Sequence, residues 1–146
     1  IYIELKSDVR IVPPLIEVLG ASALNPNQIF IICFDEEVVR RLKSLVPQYK
    51  AAWLVNFKKR GLRLEPNVDE VIKKAATIQC DGISVKAHPL LRSDFGTKVK
   101  AAGYSFHVWT VDQPDWAEEM LRRGAESITT NYPDRIRQHL TIHTTQ

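Results

Sequence analysis

The sequence predicts an α/β fold in which helices cover a parallel sheet. Short apolar runs alternate with helical patterns six times along the 146 residues, and the connections are long enough for right-handed crossovers. The run at 28–34 is almost continuously apolar, which is typical of a parallel strand that is buried on both faces. No glycine-rich phosphate loop follows any run, which counts against a nucleotide-binding version. Two architectures fit: an open doubly wound sheet, or part of a (β/α) barrel.

Apolar periodicity places the individual elements. Strands are predicted at 1–6, 28–34, 51–55, 81–85, 104–111 and 125–130. Helices are predicted at 13–24, 36–46, 68–76, 89–102, 112–123 and 135–140. Asp35 and Asn67 suit helix N-caps, whereas Gly103 and Gly124 suit helix ends. We expect the polar tail at 141–146 to be frayed.

Composition and charge are those of an ordinary globular protein. The apolar fraction is 45% and the charged fraction 25%, and the length suits a single domain over residues 1–146. The net charge of +3 is small, and basic runs such as 58–60 are not interleaved with aromatic residues. We therefore interpret these runs as solvated loops and helix faces, and we expect no nucleic-acid partner.

The cysteines and the apolar runs restrict the cellular setting. Cys33 and Cys80 both lie in apolar runs, which predicts buried free thiols. No run approaches the roughly 18 to 20 apolar residues of a membrane span, and no charged-then-apolar signal opens the chain. We therefore expect a cytoplasmic protein without a membrane span. Because the chain opens inside a strand without an initiator Met, we also expect its natural N-terminus to lie further upstream.

The first predicted strand contains two opposite charges. Glu4 and Lys6 are two residues apart, so both side chains point to the same face of the strand. Burying either charge alone costs several kcal/mol, so the two must pair with each other, contact a ligand or face water. A strand-end ion pair and a ligand site are therefore both open at this point.

Four segments at successive strand ends carry a resemblance to a known family. They are I-E-L-K at 3–6, C-F-D at 33–35, W-T-V-D at 109–112 preceded by Gly103, and T-N-Y-P at 130–133 preceded by Gly124. In this order they resemble the C-terminal part of glycerophosphodiester phosphodiesterases, whose patterns are I-E-[IL]-K, S-F-D, W-T-V-[ND] and T-[ND]-x-P. The resemblance spans nearly the whole chain. It implies a TIM barrel, of which this chain contains the last six βα units, strands three to eight.

The resemblance also implies an activity and a set of site residues. The family hydrolyses glycerophosphodiesters to an alcohol and sn-glycerol 3-phosphate with the help of a divalent metal. Glu4 is then a metal ligand, with Mg²⁺ or Ca²⁺ suited to its hard oxygen. Lys6 binds a phosphate oxygen, and Trp109 lines the substrate pocket.

The departures from the family pattern predict that the isolated chain is inactive. The catalytic histidine pair and the E-x-D metal ligands of the family belong to the first two βα units, which are absent here. His107 lies mid-strand and is expected to be a hydrogen-bonded core residue. His88, in a loop before Pro89, is a further histidine that could approach the rim of the pocket. Cys33 replaces the family's serine, and no positioned base makes it a nucleophile.

Two other functions stay open from the sequence. A non-catalytic half-barrel scaffold would expose sheet edges at 1–6 and 126–130, which predicts self-association. A relative of the phosphoinositide-specific phospholipases would share the barrel and the metal chemistry. The W-T-V and T-N-Y-P segments fit the glycerophosphodiesterase pattern better.

Overall fold

The computed structural model describes residues 1–143 and contains a six-stranded parallel sheet. Its strands, in spatial order, are β1 (Tyr2–Leu5), β2 (Phe30–Cys33), β3 (Lys50–Val55), β6 (Gly82–Lys86), β7 (Ser105–Trp109) and β8 (Ser127–Ile128). A separate antiparallel hairpin is formed by β4 (Lys58–Arg60) and β5 (Arg63–Glu65). The parallel strands thus neighbour one another in chain order.

Helices follow the parallel strands. They are α1 (Val12–Ala21), α2 (Glu36–Leu45), α3 (Val68–Ile78), α4 (Phe95–Ala101), α5 (Pro114–Arg122) and α6 (Pro133–His143). The two predicted N-caps are confirmed: Asp35 accepts hydrogen bonds from the backbone of α2, and Asn67 forms a capping box with Glu70 of α3. None of the helices in residues 1–143 is long and apolar enough to cross a bilayer.

The consecutive strand order decides between the two predicted architectures. A doubly wound sheet reverses its strand order at a switch point, whereas a barrel adds each strand to the same side of the last. Side chains of non-adjacent strands also meet across the concave face: the rings of Phe30 and His107 lie 5.0 Å apart, and Tyr2 Oη is 3.2 Å from Ser127 Oγ. The sheet is therefore a curled half-barrel, and the prediction of a partial TIM barrel is confirmed.

The main core lies between the convex face of the sheet and the helices. Alternate strand residues that point outward are apolar and almost fully buried; they include Ile31, Cys33, Val55, Ile83, Val85, Phe106 and Val108. Helix residues such as Val38, Val71 and Met120 complete this layer. The opposite set of strand residues points into the concave face and is the set that contains polar side chains.

The structure corrects four element predictions. The basic run at 58–60, interpreted from the sequence as a solvated loop or helix face, is strand β4, which pairs with β5 around a tight turn at Gly61. The helix predicted at 89–102 is limited to α4, because residues before it form turns in which the backbone of Leu90 donates to His88 Nδ1. The last strand spans two residues only. Helix α6 continues to His143, beyond the predicted start of fraying, and residues 144–146 lie outside the described part.

Candidate functional site

Glu4 and Lys6 form an ion pair at the carboxyl end of β1. Lys6 Nζ lies 3.5 Å from Glu4 Oε2, and the side chains are 77% (Lys6) and 36% (Glu4) exposed. Leu5 between them is buried in the core, so the two charges share the concave face, as their spacing predicts. An exposed pair of this kind contributes about 0 to 1 kcal/mol to stability. The two side chains thus form an ion pair, but this pair contributes little to the stability of the fold.

Strand register places Trp109 on the same concave face. Across the neighbouring strands, Glu4 is in register with Ser105 of β7; the partners between them are Ile32, Ala52 and Gly82. Trp109 lies four residues beyond Ser105 on the same strand. Residues in register on parallel strands point to the same side, and so do residues an even number apart. All three predicted site residues therefore belong to one surface, at or near the carboxyl ends of their strands.

Trp109 is held by an aromatic neighbour that the sequence analysis did not single out. The rings of Phe34 and Trp109 lie 5.5 Å apart in an edge-to-face contact, although their strands are not adjacent. Phe34 is in turn fixed at its carbonyl oxygen, which accepts a hydrogen bond from Trp53 Nε1. Trp109 Nε1 is buried without a hydrogen-bond partner among residues 1–143. The indole nitrogen is thus enclosed by protein atoms, and the partly exposed remainder of the side chain is what Trp109 presents at the concave face.

Asp112 joins two of the segments on which the family resemblance rests. Its carboxylate accepts hydrogen bonds from Thr130 Oγ1 at 3.0 Å, from the backbone N–H of Asn131 at 2.8 Å and from Asn131 Nδ2 at 2.9 Å. The bonds from Asn131, followed by the weaker one from Thr130, lower the pKa of Asp112 below its usual 3.8. The W-T-V-D and T-N-Y-P segments thus form one clamped unit at the carboxyl ends of β7 and β8.

We expect Asp112→Ala to destabilise the protein at neutral pH, because three donors lose their acceptor. A lowered pKa in the folded state stabilises above the unfolded pKa of about 3.8, and this contribution is lost as the pH falls through the lowered value. The difference in Tm between wild type and variant should therefore shrink in acid. Thermal unfolding at neutral pH and near pH 3 measures it. Asp112→Asn, which keeps one acceptor oxygen, should lie between the two.

His107 is a core residue, as predicted. It is 7% exposed; Nδ1 lies 2.8 Å from Ser127 Oγ, and Nε2 lies 2.8 Å from Ser105 Oγ. Burial lowers its pKa below the usual 6.5. Both ring nitrogens are occupied by serines, so the geometry gives His107 a structural position inside the half-barrel.

The buried His107 predicts a pH dependence of stability. Between pH 6.5 and its lowered folded pKa, the unfolded chain binds a proton more readily than the folded protein, so stability decreases as the pH falls through that window. We expect His107→Gln to flatten the dependence of Tm on pH between about 7.5 and 5. An unchanged slope in the variant would contradict the assignment, whatever its absolute Tm.

The residues that the structure describes contain no cluster of metal-ligating side chains. Among residues 1–143, no group of three or more His, Cys, Asp or Glu side chains is arranged to hold an ion. Glu4 is the carboxylate that the resemblance assigns to the metal, and its neighbour is the cation of Lys6. Glu4 alone supplies at most two of the oxygen ligands of Ca²⁺ or Mg²⁺, so further side chains, water or substrate oxygens would have to complete such a site.

The remaining candidates are accounted for locally. The imidazole of His88 accepts a hydrogen bond from the backbone of Leu90 at 3.0 Å, in a turn that follows β6. The two cysteines are buried free thiols, as predicted; burial raises the pKa of both, that of Cys80 to about 11. Neither thiol is therefore a nucleophile near neutral pH.

Lys86 is a residue that the sequence analysis missed. It ends β6 in register with Trp109, so it shares the concave face with the predicted site. The signal was present: Ser84 and Lys86 repeat the two-residue spacing of Glu4 and Lys6 in an otherwise apolar strand. A second cation on this face adds to its preference for an anionic ligand.

A cleft of about 690 Å³ lies among the segments that follow β3 and β6. It is bounded by the β4–β5 hairpin, the start of α3 and the segment 90–98. Neither Glu4, Lys6 nor Trp109 lines it. Its charged side chains are both basic and acidic, among them Arg63, Arg92, Asp69 and Glu70, and it is distinct from the predicted site.

Comparison with solved structures shows the same fold at low identity. An inferred glycerophosphoryl diester phosphodiesterase from Agrobacterium tumefaciens has a TM-score of 0.80 at 20% identity, over 99% of this chain and 59% of that one. A glycerophosphodiester phosphodiesterase from Parabacteroides distasonis has a TM-score of 0.74 at 19% identity, over 98% of this chain and 57% of that one. An Oleispira antarctica phosphodiesterase, solved with the product sn-glycerol 3-phosphate, has a TM-score of 0.75 at 17% identity, over 94% and 53%.

These relatives are longer than the chain, which spans between 53% and 59% of their length. No curated protein sequence matches it. The family model described as the glycerophosphoryl diester phosphodiesterase family matches residues 3–135, which include the ion pair of β1, the W-T-V-D segment and the T-N-Y-P segment. The chain therefore belongs to the glycerophosphoryl diester phosphodiesterase family.

Proposed function

We propose that this chain supplies one side of the active site of a glycerophosphodiester phosphodiesterase. The observation that carries the proposal is the shared concave face of Lys6, Trp109 and Glu4, within a chain of this family. The substrate class is a glycerophosphodiester, which is cleaved to an alcohol and sn-glycerol 3-phosphate. The product complex of the Oleispira antarctica phosphodiesterase is in line with this class.

Each residue has a distinct proposed role. The ammonium group of Lys6 binds a phosphate oxygen and offsets the negative charge that accumulates during displacement. The partly exposed indole ring of Trp109 covers the glycerol or headgroup portion of the ligand. Glu4 orients Lys6 in this chain and, in the whole enzyme, contributes one carboxylate to a Mg²⁺ or Ca²⁺ site.

We further propose that the 146 residues alone do not catalyse the reaction. The described residues contain no cluster of three or more metal-ligating side chains, and they place no histidine pair at the concave face. A general acid and base must reach the leaving and attacking oxygens, and their contribution is typically 10²- to 10⁴-fold each. The remaining ligands and the acid/base pair must therefore come from residues outside this chain.

Binding of sn-glycerol 3-phosphate tests the proposed site without requiring catalysis. In a ¹H–¹⁵N spectrum, the indole N–H signal of Trp109, assigned with Trp109→Phe, should shift on titration because the ring lies at the face where the ligand is proposed to bind. Lys6→Met should weaken the affinity at least about tenfold, through loss of a charge-assisted hydrogen bond. The matched control Lys73→Met, on the outer helix α3, should bind like wild type. An indole signal that does not move at millimolar ligand would overturn the proposal.

A scaffold that assembles through its sheet edges is the second candidate. Strand β1 pairs with β2 alone and β8 pairs with β7 alone, so each leaves one backbone edge without a partner strand among residues 1–143. Unpaired edges recruit further strands. Light scattering over a concentration series separates the candidates: a dimer that binds no glycerol phosphate favours the scaffold, and a concentration-independent monomer rejects it. The family match and the solved relatives give no support to the phosphoinositide phospholipase alternative.

A further inference from the structure

The β4–β5 hairpin carries the whole net charge of the chain. Residues 58–65 contain four cations, Lys58, Lys59, Arg60 and Arg63, and one carboxylate, Glu65, which gives a net charge of +3. The chain as a whole also has a net charge of +3, so its other residues contain equal numbers of acidic and basic side chains. The positive charge is therefore concentrated in one exposed element instead of being spread over the surface.

One of the three cross-strand pairs in the hairpin joins two cations, whereas another places Lys58 opposite Glu65. Arg60 and Arg63 are directly opposite each other in the antiparallel register, and like charges at such positions destabilise a two-stranded ribbon. Only Arg60 has an ion-pair partner among the residues described, Glu65 at 3.2 Å. An external anionic surface would relieve the repulsion.

The tip of the hairpin is apolar and projects into solvent. Gly61 adopts a φ of +59°, which allows the tight turn, and Leu62 beside it is 85% exposed, the most exposed of the large hydrophobic residues described. The base of the hairpin is fixed, because the ring of Phe57 packs edge-to-face at 5.8 Å on Phe95 and Leu64 packs against the core. A hairpin with a fixed base and an exposed leucine at its tip suits insertion of that leucine into an apolar layer.

The hairpin lies at the same end of the half-barrel as the predicted site. It follows β3 directly, and β3 is parallel to β1, so both the hairpin and Lys6 emerge at the carboxyl ends of their strands. Loops at this end of a barrel surround its ligand site. A surface bound by the hairpin would therefore lie next to the concave face.

We propose that the hairpin docks the protein on the surface of an anionic phospholipid bilayer. The cations bind lipid headgroups, and Leu62 enters the boundary between headgroups and acyl chains. A nucleic acid fits less well, because single strands require exposed aromatic platforms and Phe57 is packed on Phe95. The proposal concerns binding and does not depend on the proposed catalytic role.

Vesicle co-sedimentation with the 146-residue chain tests the proposal. Vesicles of phosphatidylcholine with phosphatidylserine should bind the protein, pure phosphatidylcholine vesicles should bind it weakly, and added salt should release it. One basic side chain near the surface is worth about fivefold in affinity. Lys59→Glu combined with Arg63→Glu should therefore lower the affinity by roughly 25-fold or more, and Leu62→Ser by about tenfold.

A charge-matched variant on the outer helices separates the hairpin from net charge. Arg41→Glu combined with Lys73→Glu changes the same number of charges on α2 and α3, and should retain most of the binding. Thermal unfolding confirms that both double variants are folded. Equal loss in the two double variants, no binding of wild type to anionic vesicles, or tighter binding to a single-stranded oligonucleotide than to vesicles would each overturn the proposal.

Discussion

Lys6→Met is expected to lower the turnover of a whole-length enzyme containing this half-barrel by roughly 100-fold or more, with little effect on folding. Removing one preorganised charge partner from a developing anion typically costs about 10²- to 10³-fold in rate. The ion pair with Glu4 is exposed, so its loss should change the free energy of unfolding by about 1 kcal/mol at most. Methionine keeps most of the length of the side chain and removes only its charge.

Turnover and thermal unfolding, both measured on the whole-length enzyme and its Lys6→Met variant, check this prediction. The control is Lys73→Met, which removes an exposed charge from the outer helix α3 and should leave turnover unchanged. If Lys6→Met retained a near-normal rate, the phosphate-binding role of Lys6 would be wrong. A large fall in Tm would instead show that the ion pair is structural.

Gly96→Ala is expected to lower the free energy of unfolding by about 3 kcal/mol or more, at the upper end of the range for overpacking. A Cβ at this position would overlap the backbone carbonyl oxygen of Arg123 and lie 2.7 Å from the ring of Phe106. The carbonyl is part of the backbone, and Phe106 is fully buried, so neither neighbour has room to move. Chemical denaturation measures the effect.

Gly20→Ala is the matched control for this substitution. Gly20 also lies in a helix, α1, but nothing is within 4 Å of a Cβ built there. Alanine is a better helix former than glycine by about 1 kcal/mol, so this variant should be stabilised slightly. Equal stabilisation of both variants would show that helix propensity, and not the contact with Arg123, controls the response at Gly96.

Much of the fold could be predicted because its signals are local. Apolar runs that are short and continuous mark the parallel strands, and single side chains such as Asp35 and Asn67 mark helix starts through bonds to the next few residues. These local signals could not decide whether the sheet is part of a barrel or an open doubly wound sheet. That choice depends on the order of the strands in space, which involves contacts such as that between Tyr2 and Ser127, 125 residues apart in sequence.

The hairpin and Gly96 show where sequence patterns mislead. Strand β4 consists of three charged residues, so its alternation carries no apolar signal, and the ribbon is recognised only from its partner strand. Gly96 weakens a helix by propensity, yet the structure requires its missing side chain, because the C-terminus of α5 approaches it closely. Both features depend on tertiary neighbours.

The candidate site was predicted in part. The two-residue spacing of Glu4 and Lys6 correctly places both on one face, and register adds Trp109 to it. Phe34, which contacts Trp109 from a non-adjacent strand, could not be found from periodicity. The assigned roles in metal, phosphate and substrate binding stay predictions.

Hydrolysis of glycerophosphocholine by the purified 146-residue chain, with Mg²⁺ or Ca²⁺ present, tests most directly the claim that the chain contains one side of an active site. The Oleispira antarctica phosphodiesterase, 53% of whose length this chain covers, is assayed in parallel for comparison. We predict release of choline no faster than in a protein-free blank, together with measurable binding of sn-glycerol 3-phosphate. Robust turnover that depends on the added metal and is abolished by Lys6→Met would contradict the account, because the 146 residues would then contain the complete site.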